Sequence, residues 1–180
     1  MKKSSILLIF LLSVLLFSCT KESFSLSSSI LYRNITVTDD MKEEEAVLRL
    51  SLSSEKDDES YTFLLVSPSG ELRWEGKLVK RDGRYYSPAL GITRGARFEE
   101  GDYSLYIYSA SGTTLSVTVP LQKEEGDYTL SNAMRKNDAS VIYYDREGFV
   151  VGEDEESDFA VVTYSDRYSN RITLRVEFNT

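Results

Sequence analysis

The side chains that could perform chemistry in this chain are limited in kind. Its 180 residues contain no His, which excludes nucleophilic systems that rely on a His base and metal sites built on His. The only Cys is Cys19, and no glycine-rich phosphate loop of the P-loop or dinucleotide type occurs. Carboxylates, hydroxyls and amines therefore remain as the groups to consider.

Serine and carboxylate chemistry lack a motif in a suitable context. Ser53 and Lys56 fit the Ser-x-x-Lys spacing, but they end a strand pattern and enter a charged turn, whereas that motif opens a helix in a cleft. Two carboxylates flanking a sugar could hydrolyse a glycosidic bond, yet none of the 29 acidic residues is marked out as a pair. A carboxylate-based glycan hydrolase is thus an alternative without named residues. We expect no enzymatic activity and no cofactor.

An acidic loop between residues 153 and 158 could attract a cation. Asp154, Glu156 and Asp158 would offer the carboxylate oxygens that Ca²⁺ prefers. The loop has neither the alternating ligands nor the internal Gly of the known calcium loop. A solubilising surface loop is the simpler interpretation, so we expect no metal site here.

Basic residues concentrate between residues 71 and 97, although the formal net charge of the chain is −8. Within this segment, Arg81, Arg84, Tyr85 and Tyr86 are the candidate partner contacts, because Arg and Tyr contribute strongly to binding interfaces. An acidic envelope protein or a glycan would suit them as a partner. The alternative is a strand face that is merely solvated.

The N-terminal residues have the pattern of a secretion signal. Lys2 and Lys3 precede an apolar run from Ile6 to Phe17, which is too short to span a bilayer and suits a signal-peptide core. Residues 19 to 29 are polar, rich in Ser and without a period. We expect them to form a flexible tether after a signal peptide of residues 1 to 18.

The residues Leu16, Phe17, Ser18 and Cys19 resemble the lipobox of bacterial lipoproteins, in a form similar to that of spirochaetes. The resemblance implies cleavage before Cys19 and attachment of diacylglycerol to its sulfur. It therefore implies a cell-envelope protein that is held at a membrane, with the outer membrane favoured, by acyl chains. An ordinary secretory signal is the alternative. The acidic net charge makes nucleic acid an unexpected partner.

Alternating apolar and polar residues predict strands at regular intervals from residue 30 to residue 121. The clearest pattern is a hairpin in which Tyr103, Leu105 and Ile107 share one face before a turn at Gly112. A second strand then returns to Leu121. Such strands need a core on one side only, which predicts a second layer.

Two further features of this region concern a turn and the core. Asp82 and Gly83 predict a tight turn between short strands. Trp74 is expected to fill the core together with Leu72 and Leu78, because large aromatic residues in the apolar phase of a strand are usually buried.

The opening of the hairpin by Gly101, Asp102 and Tyr103 resembles the penultimate strand of immunoglobulin-like or fibronectin-type sandwiches. The resemblance covers residues 30 to 121. It implies that the Tyr103 hydroxyl pins a corner of the sandwich. The chain departs from true immunoglobulin domains because it has no Cys pair.

The last 59 residues, 122 to 180, exceed what a seven-strand sandwich needs. Thr129 to Asn137 is the only helix candidate, with Leu130, Ala133 and Met134 on one face. Two pairs of strands are predicted to follow it. They either extend the sandwich or form a small second lobe.

Together these patterns predict an all-β protein, a two-layer antiparallel β-sandwich with extra C-terminal strands and at most one short helix. The expected function is binding, as a structural or accessory component of the cell envelope anchored through acylated Cys19. A surface adhesin or glycan-binding module is an alternative. The partner, the leaflet and the oligomeric state do not follow from the residues.

Overall fold

A computed structural model describes residues 24–38, 41–54, 60–93, 96–152 and 157–178. In this part of the chain there are thirteen strands and one short helix, α1 (Leu130–Ala133). The strands are β1 (Phe24–Val37), β2 (Lys42–Ser54), β3 (Tyr61–Val66), β4 (Arg73–Lys77), β5 (Val79–Arg81), β6 (Arg84–Tyr86), β7 (Leu90–Gly91), β8 (Asp102–Ser109), β9 (Thr114–Pro120), β10 (Ser140–Tyr144), β11 (Val150–Val151), β12 (Phe159–Ser165) and β13 (Arg171–Glu177).

The strands form two sheets that pack in a sandwich-like arrangement, which confirms the predicted all-β class. The small sheet has the order β4-β3-β8-β9. The large sheet has the order β11-β10-β12-β13-β1-β2-β6-β5, and β7 also pairs with β2. Neighbouring strands are antiparallel except β1 and β13, which run parallel with Asn34 beside Arg171. The C-terminal strands thus join the large sheet through β1.

The first core lies between the small sheet and strands β1, β2 and β6 of the large sheet. Period-two alternation selects the side chains that enter it. On β8 the predicted face of Tyr103, Leu105 and Ile107 is completely buried. Leu48 and Leu50 of β2 meet it from the large sheet with no exposed surface. The predicted hairpin and its orientation are therefore confirmed.

A hydroxyl contact at the start of β8 ties this core to the preceding loop. The Tyr103 hydroxyl donates a hydrogen bond of 2.9 Å to the Glu99 carbonyl. Burial, with the negative charge of Glu99 adding to it, raises the pKa of Tyr103 to about 12. The hydroxyl therefore stays protonated and remains a donor.

The predicted group of Trp74, Leu72 and Leu78 is only partly in the core. Leu78 is buried, whereas Trp74 is half-buried and Leu72 is 38% exposed. Leu72 precedes β4, which is an edge strand of the small sheet, so it lies outside the alternating pattern. Trp74 stacks on Phe98 at a centroid distance of 5.5 Å, and its Nε1 donates a 2.8 Å hydrogen bond to the Gly91 carbonyl.

A second core lies on the part of the large sheet that β12 and β13 form with the end of β1. Its buried members are Ile35, Ala133, Val162, Tyr164, Ile172 and Leu174. The helix contributes Ala133 alone, while Leu130 and Met134 are 38% and 58% exposed. The expected apolar helix face is therefore wrong. The helix is only four residues long, so a single side chain of its turn points at the sheet. Its N-cap is Thr129, whose side chain accepts a hydrogen bond from the Asn132 N–H.

The expected flexible tether needs a correction for residues 24 to 29, which form the first part of β1. Phe24 is buried and meets the Tyr61 ring at 5.0 Å. Hydroxyls reinforce the pairing with β2, since the Oγ atoms of Ser25 and Ser53 lie 2.8 Å apart. One apolar anchor and the backbone ladder to β2 are enough to order a segment whose composition is otherwise that of a linker. Residues 19–23 lie outside the described residues.

A buried polar cluster separates the two cores, and its members are Arg33, Lys42, Glu44, Glu124 and Tyr128. Lys42 Nζ contacts carboxylate oxygens of Glu44 at 2.8 Å and Glu124 at 2.6 Å. The Tyr128 hydroxyl donates a 2.5 Å hydrogen bond to Glu124, and the Arg33 side chain donates one to the Gln122 carbonyl. Two cations and two carboxylates thus balance each other and hold the connector after β9 against β1 and β2.

The electrostatics of this cluster favour the charged form of its outermost carboxyl. Burial by itself raises the pKa of Glu124, but the hydrogen bonds from Lys42 and Tyr128 and the positive charges of Lys42 and Arg33 outweigh it. The pKa of Glu124 is therefore lowered. Burial and the adjacent carboxylate raise the pKa of the Tyr128 hydroxyl, so it stays a donor.

Asn170 connects the same region to the turn between β12 and β13. It is completely buried, and its Oδ1 accepts a 2.8 Å hydrogen bond from the backbone N–H of Arg33. Its Nδ2 donates to the Lys123 carbonyl at 2.5 Å and to the Asp166 carboxylate at 2.9 Å. One amide side chain thereby joins β1, the connector and the final hairpin.

Candidate binding groove on the outer face of the large sheet

The large sheet has an outer face, directed away from both cores, and alternation along β1 places Tyr32 and Asn34 on it. Their neighbours Leu31, Arg33 and Ile35 are buried on the opposite face. Strand pairing then brings Val47 of β2 beside Tyr32.

The next strand continues the same row of side chains. Arg49 of β2 is paired with Tyr86 of β6. Because paired residues point to the same side of a sheet, both lie on the outer face with Tyr32.

The hairpin β5–β6 forms one wall beside this row. Its turn residues Asp82 and Gly83 have positive φ values of 48° and 73°, which fits the predicted tight turn. The turn sets the register in which Arg81 pairs with Arg84 and Val79 pairs with Tyr86. Local turn chemistry therefore decides that these side chains share the outer face.

These elements enclose a groove of about 720 Å³. Val47 is buried although it faces away from the cores, which identifies it as the floor. The lining residues with polar or aromatic side chains include Tyr32, Asn34, Lys77, Arg81, Asp82 and Tyr86. The groove thus combines two aromatic rings, an amide, two cations and one carboxylate.

Cations outnumber carboxylates around the groove, where Asp82 is in the lining and Glu45 is paired with Asn34. Lys77 and Arg81 line it, Arg49 lies 5.9 Å from the centre of the Tyr32 ring, and Arg171 is paired with Asn34. Among the described residues, none of these four cations has a carboxylate oxygen within 4.0 Å. In an acidic chain, four such cations around one groove leave positive charge available to a ligand.

Tyr32 is a hydrogen-bond donor at the centre of this arrangement. Burial raises the pKa of its hydroxyl, and Tyr86 adds to the rise, while the positive charges of Arg49 and Arg171 oppose it. The hydroxyl is therefore protonated at neutral pH. It can donate to an oxygen of a ligand while the ring offers an apolar surface.

The predicted contact residues lie on both faces of the β5–β6 hairpin. Arg81 and Tyr86 line the groove, and exposed Arg84 shares its face. Tyr85 has to be corrected, because it is buried in the first core and meets Tyr61 edge-to-face at 5.0 Å. The physical reason is alternation, since adjacent strand residues point to opposite sides of a sheet.

Sequence reasoning missed the half of the groove that comes from other strands. The sequence pattern could have identified Tyr32 and Asn34, because along β1 they alternate with residues that are mostly apolar. No pattern in the sequence indicated that these two residues lie close to Arg49, Arg171 and Tyr86. The order of the strands in the sheet brings these residues together, and a local sequence pattern does not predict that order.

The other predicted site residues are Cys19, Asp154, Glu156 and Asp158. Cys19, Asp154 and Glu156 lie outside the described residues. Asp158 is described, and its backbone joins Tyr144 and Phe178, with an N–H donated to the Tyr144 carbonyl at 2.9 Å. Within the described ranges, no group of three Asp, Glu, Cys or His side chains is arranged to hold a metal ion. Across those same ranges, no helix has the length and apolar character needed to cross a bilayer.

A second cavity, of about 410 Å³, is lined by Glu43, Glu44 and Glu45 with residues near Gly91. Glu44 is engaged by Lys42 within the polar cluster. Glu43 and Glu45 are two positions apart along β2, so their side chains lie on the same face of this strand.

The fold defines a class, an all-β protein with sandwich-like packing, whose outer sheet face bears an aromatic and cationic groove. Comparisons with protein-family models, with curated proteins and with solved structures found no match to this chain. The function is therefore argued from the groove itself.

Proposed function

We propose that this chain is a lipid-anchored β-sandwich protein of the bacterial cell envelope that acts by binding an acidic ligand in the outer-face groove. The observation that carries the proposal is the set of four cations around Tyr32 and Tyr86 without carboxylate partners among the described residues. Charge-assisted hydrogen bonds from Arg and Lys to a carboxylate are roughly twice as strong as neutral ones. Tyr rings beside them suit a binding interface.

The position of the groove along β1 is compatible with an anchor at Cys19. Phe24 is five positions after Cys19 in the sequence, and such a segment spans at most about 18 Å. Tyr32 lies eight residues further along β1, or about 26 Å at the rise of a strand. An anchored chain can therefore keep its groove clear of the headgroups.

Membrane fractionation of cells that carry the full chain tests the anchor. We expect the unmodified chain in the membrane fraction and the Cys19→Ser variant in the soluble fraction. Ser23→Ala changes a nearby residue outside the lipobox and is the control, with no expected change. Retention of the Cys19→Ser variant at the membrane would refute the anchor.

Photo-cross-linking in intact cells tests the groove as the binding site. A photo-reactive amino acid at position 86 should form an adduct that disappears when Lys77→Gln and Arg81→Gln are introduced together. The same group at position 72, which is exposed but outside the groove lining, should not form this adduct. Equal adducts at both positions, or none at position 86, would contradict the proposal.

The second candidate function is a surface adhesin or glycan-binding module. The specific observation that favours it is the combination of aromatic rings with an amide and a carboxylate in one groove. Sugars present both apolar ring faces and hydroxyls, so they need such a mixture.

A further inference from the structure

We propose that the ligand of the outer-face groove is a carboxylated oligosaccharide, an inference that rests on the proposed binding function and specifies its ligand. The sugar rings lie against Tyr32 and Tyr86, and the carboxylate is held by Lys77 and Arg81.

The lining offers a surface for each kind of atom in an acidic sugar. The rings of Tyr32 and Tyr86 supply apolar faces for the C–H groups of a pyranose. Arg49 lies on the same face, 5.9 Å from the centre of the Tyr32 ring, and this cation–π contact helps to hold the ring in place. The Asn34 amide both donates and accepts hydrogen bonds, as sugar hydroxyls require.

The charge balance of the groove favours a ligand with few charges over one with many closely spaced negative charges. Lys77 and Arg81 attract carboxylates, but Asp82 lines the same groove. A carboxylate accepts hydrogen bonds from hydroxyl groups and repels closely spaced anions. A chain that alternates hydroxyls with an occasional carboxylate satisfies both conditions.

The position of the groove favours a sugar over an acidic peptide. Its floor is formed by internal strands, since Asn34 lies between Glu45 and Arg171 and Arg49 lies between β1 and β6. The backbone groups of these strands are used in the sheet ladder. Extended peptides gain affinity from backbone pairing at a sheet edge, whereas the floor of this groove offers side chains, and the edge strand β5 lies only at its wall.

The volume is consistent with this ligand. Sites that hold a small molecule typically measure about 300–1,000 Å³, and the groove measures about 720 Å³. An oligosaccharide of a few rings fits this space.

Titration calorimetry on the mature chain carrying Cys19→Ser tests the inference with four ligands. Two are carboxylated, a galacturonic acid trimer and sialyllactose, and two are their neutral counterparts, a galactose trimer and lactose. We expect at least one acidic sugar to bind about tenfold or more tightly than its counterpart, because a charged hydrogen bond contributes at least that much. Affinity should fall as salt is raised from 0.05 to 0.5 M, values chosen to span strong and weak screening at roughly 14 and 4 Å.

Variants locate the interaction. The double change Lys77→Gln and Arg81→Gln should weaken binding of the acidic sugar about tenfold or more, and Tyr86→Ala should weaken it by a similar factor. Arg73→Gln also removes one exposed positive charge, but on β4 outside the groove lining, so it should change affinity less than about twofold. Fluorescence of the single Trp verifies that each variant remains folded.

A hexaglutamate peptide distinguishes failure of this inference from failure of the proposed function. Binding of hexaglutamate through Lys77 and Arg81, with no binding of either acidic sugar, would overturn the sugar and retain an acidic ligand. Equal affinity for acidic and neutral sugars would overturn the role of the carboxylate. If none of the anionic ligands binds and cross-linking at position 86 also fails, both proposals are rejected.

Discussion

Arg33 and Glu44 face each other across β1 and β2, with Arg33 Nε 3.7 Å from Glu44 Oε2 and side chains that are only 4% and 3% exposed. They lie between the first core and the second core, on the inner face of the large sheet. Lys42 contacts the other carboxylate oxygen of Glu44 at 2.8 Å. Lys42 and the bond from Arg33 to the Gln122 carbonyl connect this charge pair to the segment that follows β9.

Removing one member of this pair should be costly. Glu44→Ala leaves the Arg33 guanidinium buried without its carboxylate, and we expect a loss of about 3–5 kcal/mol in the free energy of unfolding. Replacing both residues, with Arg33→Met and Glu44→Leu, should cost much less, because Lys42 keeps Glu124 as its partner and no buried charge is left unpaired. Urea unfolding followed by fluorescence of Trp74 measures both effects.

An exposed pair provides the control for this prediction. Arg175 and Glu177 are closer, at 2.6 Å, but their side chains are 47% and 42% exposed. Glu177→Ala should therefore change the free energy of unfolding by no more than about 1 kcal/mol. Similar losses for Glu44→Ala and Glu177→Ala would contradict the importance of burial.

Stability should decline in alkaline solution because of buried tyrosines. Burial raises the pKa values of Tyr103 and Tyr164 to about 12, above the ordinary value of 10.0. Their contribution is fully present below pH 10, where both states keep the proton. Between pH 10 and 12 the unfolded state loses protons first, so stability falls as pH rises, by up to about 1.4 kcal/mol per pH unit for each tyrosine.

Unfolding in urea at pH 8, 10 and 11 tests this pH dependence; these are values chosen around a model tyrosine pKa of roughly 10. Tyr103→Phe should lower stability by about 1 kcal/mol at pH 8, because the hydrogen bond to the Glu99 carbonyl is lost, and should flatten the alkaline decline. Tyr108, which is 36% exposed, is the matched position for a Tyr→Phe control. An alkaline decline that is unchanged in Tyr103→Phe would show that other groups cause it.

The turn before β6 requires glycine for its backbone conformation. Gly83 has a φ of 73°, and among the described residues, apart from its two chain neighbours, no atom lies within 4 Å of the Cβ that a substitution would add. Gly83→Ala should therefore cost about 1 kcal/mol through backbone strain alone. Because this turn sets the register of Arg81 and Arg84, the same change should also weaken ligand binding in the groove.

Gly91→Ala is the control that distinguishes backbone strain from steric crowding of the added Cβ. Gly91 also has nothing within 4 Å of an added Cβ, but its φ lies outside the left-handed region. We expect a change in the free energy of unfolding within about 0.5 kcal/mol. A loss at Gly91 as large as that at Gly83 would reject the conformational explanation.

The first residues of β1 should contribute to folding. Phe24→Ala removes a buried ring that meets Tyr61 at 5.0 Å, and we expect a loss of about 3 kcal/mol in urea unfolding. Ser27→Ala changes an exposed neighbour and should be neutral within about 0.5 kcal/mol. A neutral Phe24→Ala would favour the flexible tether that the composition of this segment indicates.

Features with a local cause were predicted correctly. The alternation of Tyr103, Leu105 and Ile107 identified a strand and its buried face, because side chains of a strand alternate between two environments. Asp82 and Gly83 identified a turn, because few residues adopt positive φ without strain. The all-β class follows from many such signals along the chain.

Only the tertiary structure decided which strands meet. It paired the start of β1 with β2, which turned residues 24 to 29 from an expected tether into a strand, and it placed Tyr85 in the core. It also brought Asn170 to the backbone of Arg33, 137 residues away in the chain, and Arg171 to Asn34 beside the groove. Such contacts depend on the free energy of packing whole sheets, for which no short stretch of residues carries the pattern.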